Sequence, residues 1–205
     1  LKAPAYNGYD LRLNESTLKD EANAFFFIAL EHPIPILPNI RIAHTRLEHS
    51  GTGGLMFNNI LYNFSGNIDL SHTDVTAYYQ VLDNIVSLDL GLTARQFDGF
   101  ISATTLSKVP LDSTYALLFG EVAISIPLTG LTFGSNLQAG DTGDERAIDL
   151  TAYMKYTSSI GLGVTAGYRH LEIDMESDAK GGGVKVKLLS AFEAAGPFFA
   201  LHYQF

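Results

Sequence analysis

The stretch Ile85–Arg95, IVSLDLGLTAR, alternates apolar and polar residues from Val86 to its end. Its apolar positions are Val86, Leu88, Leu90, Leu92 and Ala94, and between them stand Ser87, Asp89, Gly91, Thr93 and Arg95. Successive side chains of a β-strand point to opposite faces, whereas a helix would scatter this pattern around its axis. The stretch is therefore predicted to be a strand with one apolar and one polar face.

The same period of two recurs in LFGEVAISI (118–126), AIDLTAYMKY (147–156) and GLGVTAGYR (161–169). Ten strands are predicted on this basis, at 1–13, 22–32, 39–49, 67–82, 85–98, 114–126, 131–140, 145–157, 161–175 and 184–205. A bulge or break is expected before Pro197, and eight strands is the alternative if the first segments are not strands. The whole chain, 1–205, then forms one domain.

Short and long connections alternate between these strands. HPIPILPN, DN, PLTG and SSI are turn-like, whereas the segments around 14–21, 50–66, 99–113, 141–144 and 176–183 are mostly longer and polar or glycine-rich. Tight turns at one end and larger loops at the other are typical of bacterial outer-membrane β-barrels. GTGG (51–54) and GGG (181–183) fall in the long connections, where flexibility explains them better than phosphate binding.

Composition excludes several classes of protein. Charged residues make up 17% of the chain, against about 25% in an ordinary soluble domain. The longest nearly uninterrupted apolar run, AFFFIAL (24–30), is far shorter than the roughly 18–20 residues of a membrane-spanning helix. The net charge of −9 argues against nucleic-acid binding, and the absence of cysteine excludes disulfide scaffolds and thiolate metal sites. Because the chain starts at Leu1, either a signal peptide has been removed or the sequence begins internally.

A soluble barrel would show the same alternation with its apolar face turned inward. Charges in the middle of the polar faces favour the opposite arrangement, because a dry core does not tolerate them unpaired. The number of strands and the asymmetry of the loops also fit a membrane barrel. The sequence thus predicts an all-β, antiparallel transmembrane β-barrel of ten strands, closed by pairing of the first and last strands.

The C-terminal residues GPFFALHYQF (196–205) place an apolar residue at every second position: Phe199, Leu201, Tyr203 and Phe205. This alternation with a terminal Phe resembles the signal by which the outer-membrane assembly machinery recognises barrel substrates. Together with EHPIPILPN (31–39), LDLGLTARQFDG (88–99) and IPLTGL (126–131), it resembles a family of small, poorly characterised Gram-negative outer-membrane β-barrels. The resemblance covers most of the chain. It implies an outer-membrane location, contact with lipid and lipopolysaccharide, and the barrel assembly machinery as a partner during biogenesis.

With the apolar faces toward lipid, nine charged residues are predicted to face the lumen. They are Glu31, Asp74, Asp89, Glu121 and Asp149, together with Arg41, Arg95, Lys155 and Arg169. Hairpin spacing sets Asp149 across from Arg169, Glu121 from Asn136, His72 from Arg95 and Tyr78 from Asp89, with Glu31 and Arg41 nearly opposed. We interpret these residues as a structural network that fills a narrow lumen, and a charged constriction that selects solutes is the alternative. Phe25, Phe27 and Phe119 are also predicted to face inward, as a plug or as the lining of an apolar pocket.

No motif fixes a catalytic site. His44, His49, His72 and His170 fall in the outer halves of their strands, near Glu48, Ser50, Asp69, Ser71, Asp74, Glu172, Asp174 and Glu176, whereas His32 lies at a turn and His202 on the last strand. A Ser–His–acid or His–Asp arrangement could be drawn from this set, but His72 and Asp74 share a strand face and nothing more. No catalytic residue, metal ligand or cofactor is therefore expected, with a divalent cation at the acidic rim as a weaker alternative.

Three functions are compatible with this reading of the chain. The first is a structural or interaction protein whose outer loops contact other components of the envelope, including an unidentified protein partner. The second is a narrow channel for small solutes. The third, the least favoured, is a lipid- or peptide-processing enzyme with its site at the outer rim.

Overall fold

The computed structural model describes residues 10–13, 24–32, 34, 36–57, 60–103, 106–141, 146–181 and 184–204. The regular structure of these residues is entirely β-strand: β1 (Asp10–Leu13), β2 (Ala24–Leu30), β3 (Asn39–Arg46), β4 (Glu48–Phe57), β5 (Ile60–Asp69), β6 (His72–Asp83), β7 (Val86–Ala103), β8 (Leu106–Ile126), β9 (Leu131–Asp141), β10 (Arg146–Thr157), β11 (Leu162–Gly181) and β12 (Val184–Tyr203). In this part of the chain there is no helix of the length and hydrophobicity needed to cross a membrane. The all-β prediction is confirmed.

Two compact units share these strands. The smaller unit contains residues 1–26, 44–73 and 96–113, and the larger unit contains residues 27–43, 74–95 and 114–205. In the larger unit, nine strands follow one another in the order β2-β3-β6-β7-β8-β9-β10-β11-β12. They form a nearly closed antiparallel barrel, so the prediction of an antiparallel β-barrel is confirmed, with nine strands.

The smaller unit corrects the prediction of long loops. β4 and β5 form a hairpin in which Glu48 faces Asp69 and Phe57 faces Ile60, across the segment 50–66 that was predicted to be a loop. Glycine and asparagine interrupt the apolar alternation there, but a β-ladder is held by backbone hydrogen bonds and does not require it. GTGG (51–54) is accordingly part of β4, and β7 and β8 likewise extend into the predicted loop 99–113.

The strands of the larger unit are long and regular. β11 pairs with β12 without a break from Leu162 opposite Tyr203 to Gly181 opposite Val184. The predicted bulge before Pro197 is therefore wrong, because Pro197 lies in register opposite Tyr168. No second strand of the described residues pairs with β12, so the ladder does not require an amide at position 197. The predicted loop 176–183 is mostly strand as well, and only residues 182–183 lie outside the described part.

The predicted closure by the first and last strands is not formed among the described residues. β1 pairs with β4, and β12 has β11 as its partner strand. The physical reason is parity: neighbouring strands alternate in direction, so β2 and β12, the first and last of nine, run the same way and would have to pair in parallel. An even number, as in bacterial membrane barrels, would need one further strand between them. Of the predicted first strand, 1–13, the structure describes residues 10–13 alone.

The larger unit has its apolar residues outside and its charged residues inside. Leu92, on the outer face of β7, is 62% exposed, whereas its neighbours Thr93 and Arg95 on the inner face are 2% and 0% exposed. On β10, Leu150 is half exposed and Asp149 is buried. This is the reverse of a soluble core, and the predicted orientation of both strands is confirmed.

Candidate functional site

A buried ionic cluster fills part of the interior of the larger unit. The strand period of two turns Asp74, Thr76 and Tyr78 of β6 inward, and brings Thr93 and Arg95 of β7 to the same face. The Thr76 and Thr93 hydroxyls are 2.7 Å apart, so the two strands are hydrogen-bonded through their side chains beside the cluster.

Arg95 lies at the centre of this cluster. Its Nε and Nη2 donate to the two carboxylate oxygens of Asp74, each at 2.8 Å, in a bidentate pair. Nη2 also donates to Asp149 Oδ2 at 2.7 Å and to Gln138 Oε1 at 2.9 Å. Because Gln138 and Asp149 belong to β9 and β10, the guanidinium connects β7 to strands two and three places away in the sheet.

Asp149 carries a second ion pair. Arg169 of β11 donates from Nε to Asp149 Oδ1 at 2.9 Å and from Nη2 to Asp149 Oδ2 at 2.6 Å. The two arginines and two aspartates (Asp74, Arg95, Asp149 and Arg169) are neutral as a set. Burial of these charges is therefore compensated by direct hydrogen bonds, which is the condition under which a protein interior tolerates them.

The register of these strands differs from the prediction in two hairpins. Asp149 lies opposite Leu171 and Arg169 opposite Thr151, so the predicted ion pair forms diagonally. The loop between β10 and β11 occupies 158–161 and is thus longer than the predicted turn. In the β6–β7 hairpin the turn is Asn84–Ile85, one residue later than predicted, and Asp74 takes the place beside Arg95 that was predicted for His72. The predicted pairing of Glu121 with Asn136 is confirmed.

A second polar cluster lies toward the short turns of the same unit. Arg41 Nη1 donates to Glu121 Oε2 at 3.3 Å, and the Tyr153 hydroxyl donates to Glu121 Oε1. The Arg41 guanidinium also stacks on the Phe27 ring, 4.4 Å from its centroid. Arg41 thus contacts Glu121, and the carboxylate of Glu31 accepts a hydrogen bond from the Tyr78 hydroxyl at 3.1 Å.

Acidic groups outnumber basic ones in this second cluster. Glu31, Asp89 and Glu121 are accompanied by one arginine, Arg41, and Asp89 Oδ1 is buried with no hydrogen-bond partner among the described residues. Lys155, the remaining predicted lumen residue, forms no ion pair within the described part of the chain. The nine predicted residues therefore divide into a neutral ionic cluster, an acidic cluster and a separate lysine.

Aromatic rings fill the space between these charges. Phe119 is buried with its ring 5.8 Å from that of Tyr78. Gly134 makes room for Tyr153, since a Cβ added to the glycine would lie 2.5 Å from the Tyr153 ring and hydroxyl. The arrangement of Phe119 fits the plug that the sequence suggested, whereas Phe25 and Phe27 are more than a third exposed.

Three of the histidines named as catalytic candidates, His44, His49 and His72, lie in the smaller unit. His72 is fully buried, its Nδ1 donates to the Leu70 carbonyl at 2.9 Å, and its ring lies 5.2 Å from that of Phe97. His44 Nδ1 lies 3.1 Å from the Thr73 hydroxyl. Ser71 Oγ accepts a hydrogen bond from the Leu47 amide, so these contacts do not assemble a Ser–His–acid triad.

Three apolar residues of the predicted C-terminal assembly signal, Phe199, Leu201 and Tyr203, lie on the outer face of β12. Phe199 and Leu201 are 85% and 81% exposed, and Tyr203 is also exposed. Phe205 lies outside the described residues. Within the described ranges, no group of three or more acidic or histidine side chains is arranged to hold a metal ion.

Sequence reasoning missed the neutral partners of the charged residues. Gln138 binds Arg95 and Tyr153 binds Glu121, but neither partner is charged. Each lies two strands away from the residue that it binds: β9 from β7, and β10 from β8. The sequence signal that could have identified both residues as lumen-facing was their position on the polar face of an alternating strand.

No protein-family model, no curated protein and no solved structure matches this chain.

Proposed function

We propose that the protein is an integral β-barrel of the bacterial outer membrane, with a narrow polar lumen that its own side chains largely fill. The observation that carries the proposal is the inverted distribution of side chains in the larger unit. Leu90, Leu92 and Leu150 are exposed, while Arg95 and Asp149 are buried. In water this arrangement would leave apolar surface exposed in every strand, whereas hydrocarbon favours it.

A structural or interaction role follows from the filled lumen. Asp74, Arg95, Asp149 and Arg169 occupy the interior as a set of ion pairs with no net charge, and Phe119 and Tyr78 pack beside each other. A barrel filled in this way has little free cross-section for a solute. Its outer loops would then contact envelope components, lipopolysaccharide among them, after insertion by the barrel assembly machinery.

A narrow channel is the second candidate, favoured by the acidic cluster near the short turns. The Arg41 and Glu121 side chains are about one-fifth exposed, so water reaches this part of the interior. An acidic entrance of this kind would attract cations. The rim enzyme remains a third hypothesis, and the contacts described for His44, His72 and Ser71 do not support it.

The membrane assignment is tested with a tryptophan probe, because the parent chain contains no Trp and has no background emission from it. The Leu92→Trp variant is refolded into phosphatidylcholine vesicles whose acyl chains carry bromine near their methyl ends. We expect the bromine to quench Trp emission, since the side chain at this position would face hydrocarbon. Quenching by aqueous iodide with no effect of the brominated lipid would refute the membrane assignment.

A further inference from the structure

The short turns of the larger unit carry exposed aliphatic side chains at their tips. These turns connect β2 to β3, β6 to β7, β8 to β9 and β10 to β11. Their exposed residues are Ile34, Ile36, Leu37, Ile85, Leu128 and Ile160, which we call the turn rim. Leu128 is fully exposed, and Ile36 and Ile160 are 83% and 73% exposed.

All four turns lie at the same end of the barrel. Neighbouring strands run antiparallel, so alternate connections along the order β2-β3-β6-β7-β8-β9-β10-β11-β12 fall at one end. The turn rim is therefore distributed around this end and not gathered into one lateral patch. Turns facing water are normally built from polar residues with Gly, Asn or Asp, so an aliphatic residue at each tip calls for a physical explanation.

Leu128 occupies its turn in spite of a backbone cost. Its φ is +67°, in the left-handed region, where a residue with a Cβ is less stable than glycine by roughly 1–2 kcal/mol. Gly130 supplies the other left-handed residue of the same turn, with φ +73°. Asn or Gly at position 128 would form this turn more easily, so the turn itself gives no reason for a leucine there.

The β2–β3 turn is held against the outer apolar face of the barrel. The hydroxyl of Tyr79, an exposed residue of β6, donates to the Ile36 carbonyl at 3.2 Å. Within the turn, the His32 amide donates to Asn39 Oδ1 at 3.1 Å, and the Ile34 amide donates to His32 Nδ1 at 3.2 Å. A tyrosine ring with its hydroxyl directed to the barrel end is typical of a membrane interface.

The turns that carry the rim are almost free of charge. PLTG (127–130) and SSIG (158–161) contain no ionisable residue, and Asp83 stands beside the β6–β7 turn. In the β2–β3 connection, Glu31 and His32 precede PIPILP (33–38), which has no ionisable residue of its own. Moving these tips out of water therefore has a small free-energy cost, because few charges lose their hydration. The same movement is favourable for the aliphatic side chains, because it removes their exposed surface from water.

We propose that the turn rim inserts into the polar–apolar boundary of the lipid leaflet at this end and fixes the depth at which the barrel sits. This inference rests on the proposed membrane function and adds to it a second lipid contact, beyond the outer faces of the strands. A lipid boundary is the occupant that fits the rim, because a planar surface contacts all four turns at once. Binding at such a boundary strengthens with the apolar area that is buried in it.

The test compares single-tryptophan variants at two depths. Leu128→Trp and Ile160→Trp report the rim, and Leu92→Trp on the outer face of β7 is the matched control. Each variant is refolded into vesicles of phosphatidylcholine brominated either near the headgroup or near the methyl end of the acyl chains, and iodide is then added to the water. We expect Trp at 128 and 160 to lose most emission with the shallow bromine, and Trp at 92 to lose most with the deep bromine.

The other outcomes separate the two proposals. If Trp at 92 is quenched by lipid while Trp at 128 and 160 is quenched only by iodide, the rim inference is wrong and the membrane function stands. Rim positions shielded from both lipid and iodide would mean that a protein covers them, which also refutes lipid insertion. If lipid quenches none of the three, the membrane function fails together with the inference.

Discussion

At the scale of single residues, the buried guanidinium of Arg95 determines how the interior of the barrel is held together. It is completely buried and donates to Asp74, Gln138 and Asp149, so its removal leaves Asp74 as a buried charge without its bidentate partner. We expect Arg95→Met to lower the free energy of unfolding by about 3–5 kcal/mol, measured by guanidinium titration of the refolded protein.

Arg46→Met is the control for this substitution. Arg46 pairs with Glu48 at 2.8 Å, but the two side chains are 63% and 43% exposed, and an exposed ion pair contributes less than about 1 kcal/mol. Equal effects of the two substitutions would contradict the structural role assigned to Arg95.

Gly134 provides a second residue-scale prediction. A methyl group at this position would lie 2.5 Å from the Tyr153 ring and hydroxyl, so Gly134→Ala must displace the tyrosine from Glu121. We expect a loss of about 1–3 kcal/mol in the free energy of unfolding. Gly120→Ala is the matched control: the nearest atom to the added Cβ is 3.7 Å away, at Leu90, and the expected change is within about 0.5 kcal/mol. A tolerated Gly134→Ala together with a damaging Gly120→Ala would refute the packing described for β8 and β9.

At the scale of elements, the strands differ in how many neighbours they pair with. β10 pairs with both β9 and β11, whereas β12 pairs with β11 alone among the strands of the described residues. Alternate backbone amides of β12 therefore have no strand to donate to, and we expect them to exchange with deuterium faster than the amides of β10 in detergent micelles. The measurement is residue-resolved hydrogen exchange over 146–157 and 192–203. Uniform protection of β12 at the level of β10 would show that another segment pairs along its edge.

At the scale of the whole molecule, the filled interior of the larger unit predicts electrical behaviour. Phe119, Tyr78 and the cluster around Arg95 occupy the space through which ions would pass. We expect the parent protein to give no reproducible single-channel steps in planar bilayers, and Arg95→Ala to introduce them by removing the side chain that spans the interior. Arg46→Ala, at an exposed position, should leave the bilayer silent. Steps from the parent protein would favour the channel hypothesis.

The strand character and facing of most segments could be read from the sequence because a period of two is a local property. The alternation around Leu90 and Leu150 gave the correct outward and inward faces, and the short PLTG turn gave the correct register between Glu121 and Asn136. The hairpin of β4 and β5 was missed because backbone pairing, not side-chain alternation, forms it. The registers after Asp83 and Thr157 were missed because the turns there differ from the predicted ones in position or length.

The sequence by itself determined the all-β class, the outward and inward faces of strands such as β7 and β10, and the absence of thiol chemistry, since each of these follows from residue type and spacing along the chain. Only the tertiary structure decided that Arg95 reaches Asp149 and Gln138, that Arg41 pairs with Glu121, and that β2 and β12 run in the same direction. These features depend on the curvature of the sheet and on the number of strands in it. Both are properties of the whole set of strands, and no single segment encodes them.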